Sequence, residues 1–372
     1  MKKGEGGGGG EGGRVTKIST FPSDSGRPRA LHRPPLRGAT ARAPPVPPAP
    51  SIPSRSQSSM PVWGYTKTTG PHTWSVYYPA AGGQKQSPID LVPEKAEQAG
   101  EIAPLSYHYR SDACTRVTNT GQGWKLLIGT TDPVVGRPST NLRSLLGEVQ
   151  GGPLNSTFKL EQIHAHWGKH DAEGSEHRVE GKAYPCEVSV EGFFLGALGR
   201  FRSRASSCDG CGAFESSGLK VLRAIHLVHW DSDKFGSFAE AAGAEGGLTV
   251  LGVFVEVGDE NSEFAKIIQI LDSIPHKGDT TDLEPVNPSN FLPGGQYWTY
   301  EGSLTTPPCS ETVNWILFKN PITASSEQLS AFRAMKSQAA GEECSHDEFE
   351  GRVLRNFRPP MPLCGRTVRE CA

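Results

Sequence analysis

Gln162-Ile163-His164-Ala165-His166-Trp167-Gly168 is a run in which polar and apolar side chains alternate strictly up to Trp167. That period of two is the pattern of a β-strand with one buried face, and it sets both imidazoles side by side on the other face. A second run, Ile225-His226-Leu227-Val228-His229-Trp230, offers His226 and His229 on opposite faces, so only one of them can join the first pair. Three imidazoles without a fourth protein ligand would leave a tetrahedral zinc with one position open to water.

Working outward, Trp124–Ile128, Thr157–Leu160, Thr249–Val257 and Thr312–Phe318 also read as strands, with turn residues between them. Helical periodicity is confined to Asn261–Ile274 and to Ser325–Gln338, where Ser325 or Ser326 supplies a cap. The fold class expected is mainly β with short helices (α+β), a single domain around a large sheet. Residues 1–59 carry ten Lys and Arg against three Asp and Glu and end in Ala43-Pro-Pro-Val-Pro-Pro-Ala-Pro50, a composition that cannot bury enough surface to fold. Met60 precedes the first ordered-looking residues, so 60–372 reads as the domain and 1–59 as a disordered tail that a start at Met60 would leave untranslated. The remainder holds 28 basic against 37 acidic residues, which argues against a nucleic-acid partner. No apolar run approaches the roughly 18 residues of a membrane span. Eight cysteines scattered through a chain far too long for a disulfide-dense scaffold fit free thiols, and Cys208-Asp-Gly-Cys211 lacks the second half of a zinc site.

From Trp63 to about Val368 the chain resembles the α-class carbonic anhydrases. Gln86-Ser-Pro-Ile-Asp90, Gln162-Ile-His-Ala-His-Trp-Gly168, Gly174-Ser-Glu-His177, His226-Leu-Val-His-Trp230 and Tyr297-Trp-Thr-Tyr-Glu-Gly-Ser-Leu-Thr-Thr-Pro-Pro308 match that family in order. The resemblance implies a mostly antiparallel twisted sheet with Zn2+ at the base of a conical cleft, held by His164, His166 and His226, with His229 facing away. It implies reversible hydration of carbon dioxide to bicarbonate and a proton by zinc hydroxide, oriented by Thr305 and Glu176. The substrate pocket would be lined by Val228, Val250, Leu304, Thr306, Val313 and Trp315. Gln162 and the carbonyl of Asn356 would orient His164 and His166, while Tyr65, Ser87, Tyr300 and Arg358 would build the supporting polar network. A small-molecule substrate and a monomer are expected.

Two departures from the family pattern follow. Gln122 stands where efficient members carry a histidine proton shuttle, and an amide does not titrate near neutral pH. Ala224 stands where a glutamate would accept the other N–H of His226. That glutamate corresponds to Glu187: excising 188–224 restores Pro-Cys-Glu-Ile-His-Leu-Val-His-Trp in register, and Val188-Ser189 can be encoded by GTGAGT, the start expected of an intron. The stretch 188–224 is therefore read as an insertion or retained intron, with Val221–Ile225 able to rebuild the strand if it is real. Two rival readings stay open here: a catalytically silent binding module of the same fold, should the insertion disrupt the third ligand, and a metal-dependent hydrolase using the same hydroxide. The extracellular members' disulfide would need a cysteine at Ala81 to pair with Cys309, so a cytoplasmic location is expected, with a secreted form lacking its signal sequence as the alternative.

Overall fold

The computed structural model describes residues 63–129, 147–181, 223–343 and 346–372. The tail 1–59, Glu187, Cys208, Cys211 and all of 188–224 except its last two residues lie outside the described residues. The strands are β1 Asp90–Leu91, β2 Glu97–Gln98, β3 Ser106–Tyr109, β4 Cys114–Asn119, β5 Trp124–Ile128, β6 Gly147–Gln150, β7 Phe158–His166 and β8 Arg178–Val179. They continue as β9 Arg223–Asp231, β10 Leu248–Val257, β11 Thr280–Val286, β12 Tyr297–Gly302, β13 Val313–Phe318, β14 Ile322–Ala324 and β15 Arg369–Cys371. Four short α-helices, α1 Pro71–Tyr77, α2 Phe238–Ala242, α3 Ser262–Ile268 and α4 Ser326–Phe332, and short 3-10 turns complete the described elements.

All strands but β1 and β8 join one sheet whose path runs β11-β4-β5-β7-β9-β10-β13-β12-β15-β2, with β14 on β10 and β6 bridging β3 to β7. Most pairs are antiparallel; β10 with β13, β10 with β14 and β15 with β2 are parallel. The mixed, mostly antiparallel sheet is the architecture the sequence led us to expect.

The centre of this sheet is set by a bulge. Thr157–Leu160 and Ile163–Trp167, expected as separate runs, form the single strand β7, with a register shift against β9 between Leu160 and Gln162. The extra residue switches face parity. Before it Phe158 and Leu160 are buried in the main core; after it Ile163 and Ala165 take over, which turns Gln162, His164 and His166 to the opposite face. On β9, Ile225 and Leu227 enter that same core while Val228 belongs to the second apolar cluster, so Ala224, His226 and Val228 share the face of the β7 histidines. His229 points the other way and bonds the Tyr109 hydroxyl at 2.8 Å.

Helices α3 and α4 cover the core face through Phe264, Ile267, Leu329 and Phe332, packed with Trp124, Leu126 and Ile163. Each such fully buried side chain contributes roughly 1.5–3 kcal/mol. Both helices are shorter than their periodicity predicts. Asn261 caps α3 by accepting from Glu263 N at 3.0 Å and Phe264 N at 3.2 Å, but the helix gives way to a single 3-10 turn at Leu271–Ser273. Ser325 and Gln328 form a capping box for α4, which stops at Phe332 because the following chain is drawn into a bridge between Lys336 and Arg352.

Candidate metal centre

His164 and His226 sit directly opposite each other on β7 and β9, and His166 follows two residues along β7. Their ring nitrogens converge: His164 Nε2 to His166 Nε2 and His166 Nε2 to His226 Nδ1 are both 3.1 Å. The opposite nitrogens decide what this closeness means. His164 Nδ1 donates to Gln162 Oε1 at 3.2 Å, and His166 Nδ1 donates to the Asn356 carbonyl at 2.7 Å. Each of these acceptors fixes its ring with the proton on Nδ1, so both Nε2 atoms present lone pairs to one another. Two lone pairs at that distance repel unless a cation lies between them. The spacing is close to the edge of about 3.3 Å expected for a tetrahedron with Zn–N bonds of 2.0–2.1 Å. Burial also holds His164 and His226 well below the ordinary imidazole pKa, helped at both by His166, which keeps them in the neutral form a metal requires. The residues present therefore fit a zinc ion.

Glu176 is fully buried beside the triad, its Oε2 3.4 Å from His166 Nε2 and 3.9 Å from His226 Nδ1. Burial raises its pKa, opposed by His166, by the Thr305 hydroxyl and by the Arg358 backbone N–H, which donates to Oε1 at 2.8 Å; Oε2 is buried with no hydrogen-bond partner among the described residues. Thr305, itself buried, thus meets Glu176 although 129 positions separate them in the chain. On the same side of the sheet Val228, Val250, Val313 and Trp315 pack in one apolar cluster, with Leu304 partly buried against it. Thr306 is half-buried, and its carbonyl accepts the Cys309 N–H at 2.9 Å in the turn.

The supporting residues are also brought together. Tyr300 hydroxyl bonds Ser87 Oγ at 2.8 Å and His177 Nε2 at 2.5 Å. Arg358 donates to Gln86 Oε1, to the Ser87 carbonyl and to the Ala81 carbonyl. Tyr65 packs with Trp74 in a separate cluster, and burial raises its phenol pKa, as does the Glu176 charge. Gln122 donates from Nε2 to the Trp63 carbonyl at 3.2 Å, while its own carbonyl accepts from Asn356 Nδ2.

Ala224 occupies β9 opposite His166 and Phe254, so residues ahead of Ile225 do fill the strand. The consequence of alanine there is visible. His226 Nε2 is buried and has no hydrogen-bond partner among the described residues. His177 Nδ1 is orphaned in the same way, and its ring packs with that of His226 against Trp315, at 4.6 and 4.8 Å between centroids. In the sequence His177 is only the last residue of the Gly174–His177 motif, and its role as a buried link between Tyr300 and this gap depends on contacts that local sequence does not display. Lys125, opposite His164 on β5, was likewise missed, because a strand's register with its neighbour is not written in its own pattern.

A pH dependence of stability follows from the non-ligand histidines. Burial lowers His177 and His229 to about 3 each. In the unfolded chain an imidazole titrates near 6.5, so as pH falls below that value the unfolded state takes up protons first. Stability is thus complete above about pH 6.5 and declines toward pH 3, by up to about 1.4 kcal/mol per pH unit for each ring. The urea midpoint should fall clearly between pH 7.5 and 5; an unchanged midpoint would mean that the rings are not held neutral.

Comparison with known proteins agrees with this geometry. The family described as eukaryotic-type carbonic anhydrase matches residues 69–207 and 217–372. Carbonic anhydrase 7 of Homo sapiens is 34% identical over 308 residues, covering 82% of this chain and 96% of the relative. Carbonic anhydrase 1 of Mus musculus is 35% identical over the same length, covering 82% and 97%.

Proposed function

The chain belongs to the eukaryotic-type carbonic anhydrase family, and from that premise we propose that it catalyses the reversible hydration of carbon dioxide to bicarbonate and a proton at the centre formed by His164, His166 and His226. The observation that carries the reading is the convergence of three imidazoles, with His166 Nε2 3.1 Å from His164 Nε2 and from His226 Nδ1, beside an apolar wall and a buried carboxylate. When bound, zinc supplies a Lewis acid that acidifies a coordinated water. The protein's own part is positional. Thr305 accepts a hydrogen bond from the attacking oxygen while donating its proton to Glu176, so that an oxygen lone pair is aimed at the carbon of the substrate. Glu176 serves as the ionised acceptor, held by the Arg358 N–H. Val228, Val250, Leu304, Val313 and Trp315, with Thr306 at the edge, form a wall that suits an uncharged gas. The position of His226 Nδ1 beside the other two ring nitrogens supports an intact third ligand over a silent binding module.

Carbon dioxide hydration and hydrolysis of an activated acetate ester, measured on one zinc-loaded preparation, test the substrate. Hydration should exceed esterase turnover by orders of magnitude; the reverse ratio would identify a hydrolase.

Gln122 sets the pace of proton release in this reading. Its amide cannot carry the proton liberated in hydration, so turnover in weak buffer should rise several-fold on adding imidazole. Gln122→His should raise weak-buffer turnover by about tenfold or more and abolish that response. Hydration insensitive to imidazole in the unaltered chain would remove Gln122 from the account.

We also place the protein in the cytoplasm as a monomer. Cys309 is a buried free thiol in the same cluster as Ala81, so the bridge of extracellular members has no partner there. Among the described residues, no helix is long and apolar enough to cross a membrane.

A further inference from the structure

Strand β5 brings a positive charge into the candidate centre. Trp124 and Leu126 are buried in the main core, so Lys125 between them projects from the opposite face, where it is half-buried. In the antiparallel register it lies directly across from His164, at the separation where cross-strand side chains touch. Its charge is felt at the His164 ring. Thr118, its neighbour on β4, donates its hydroxyl to the Asp279 carbonyl, and Gln162 Oε1 accepts from His164; neither bonds the Lys125 ammonium. Among the described residues no carboxylate lies within salt-bridge distance of Lys125.

We propose that Lys125 forms an anion subsite beside the metal centre, recognising small monoanions and above all bicarbonate. The inference rests on the reading of the centre as a carbon dioxide hydratase. In that reaction one partner is a neutral gas and the other a monoanion, so a fixed cation on the wall discriminates between the two directions. It does nothing for carbon dioxide. It draws bicarbonate in and holds it, and it makes the site sensitive to any small anion of like charge. For a separation taken as about 8 Å and an effective dielectric of about 20–40, a fixed cation changes the affinity for a monoanion by roughly five- to thirtyfold.

The test compares the zinc-loaded full chain with Lys125→Gln and Lys125→Arg. Nitrate affinity is measured by calorimetric titration at low ionic strength, and the KM for bicarbonate is measured in the dehydration direction. The glutamine variant should bind nitrate five- to thirtyfold more weakly and show a bicarbonate KM raised by a similar factor, with the KM for carbon dioxide within twofold. The arginine variant, which keeps the charge, should retain both affinities. Unchanged nitrate affinity in the glutamine variant would overturn the proposal, and so would an equal loss in both variants, which would reveal a packing role. If the unaltered chain binds nitrate through Lys125 yet does not hydrate carbon dioxide, the subsite stands as an anion site and the hydratase reading fails.

Discussion

Replacing Ala224 with glutamate should tighten zinc binding about ten- to hundredfold, the range over which a metal ligand's hydrogen-bonding partner matters. The argument starts from the orphaned ring atom. His226 offers Nδ1 to the metal position, so its proton resides on Nε2, which is buried and has no partner among the described residues. An N–H in that condition gives the ring no fixed orientation and no added basicity. Residue 224 lies two positions before His226 and therefore on the same face of β9, within reach of that nitrogen. A carboxylate there accepts from His226 Nε2 and has a second buried donor nearby in His177 Nδ1. Two charge-assisted hydrogen bonds offset the cost of burying the charge, which an unpaired carboxylate could not do. Competition with a fluorescent chelator measures the affinity directly. Zinc bound no more tightly by Ala224→Glu would show that His226 is already oriented by something else.

The second large effect concerns the attacking oxygen. Thr305→Val keeps the shape of the side chain and removes both its hydrogen-bonding functions. In this account zinc content stays at one per chain while kcat/KM for hydration falls about a hundredfold, the scale on which misorientation of a reacting atom is felt. Glu176→Gln should fall by a similar factor, and the double variant should lose little more, because the two residues act as one relay. A loss below threefold in Thr305→Val, or multiplied losses in the pair, would take Thr305 out of the orienting role.

Much of this centre was legible because its ligands obey the simplest periodicity in protein structure. The alternation in Ile163-His164-Ala165-His166-Trp167 places two rings together without knowledge of anything distant, and the His226/His229 spacing rules out one of the second pair. The bulge at Glu161 was not legible, since it exists only relative to β9, yet it is what turns the histidines away from the core entered by Phe158 and Leu160. Lys125 escaped for the same reason: its position across from His164 is a matter of register between strands. Glu176 and Arg358, 182 residues apart, meet through the global path of the chain, and only the family resemblance anticipated that network. The helices show the opposite error. Their apolar periodicity runs past Ile268 and Phe332, where turns and a bridge to Arg352 win over helix propensity.

The central claim is that three converging histidines make zinc the agent of carbon dioxide hydration. Stripping the protein of metal and following stopped-flow hydration while zinc is added back tests this most directly. The account predicts a rate that rises linearly and reaches its plateau at one zinc per chain, and that His166→Ala neither retains the metal nor shows the rise. A chain that takes up one zinc at this triad while hydration stays at the uncatalysed rate would contradict it.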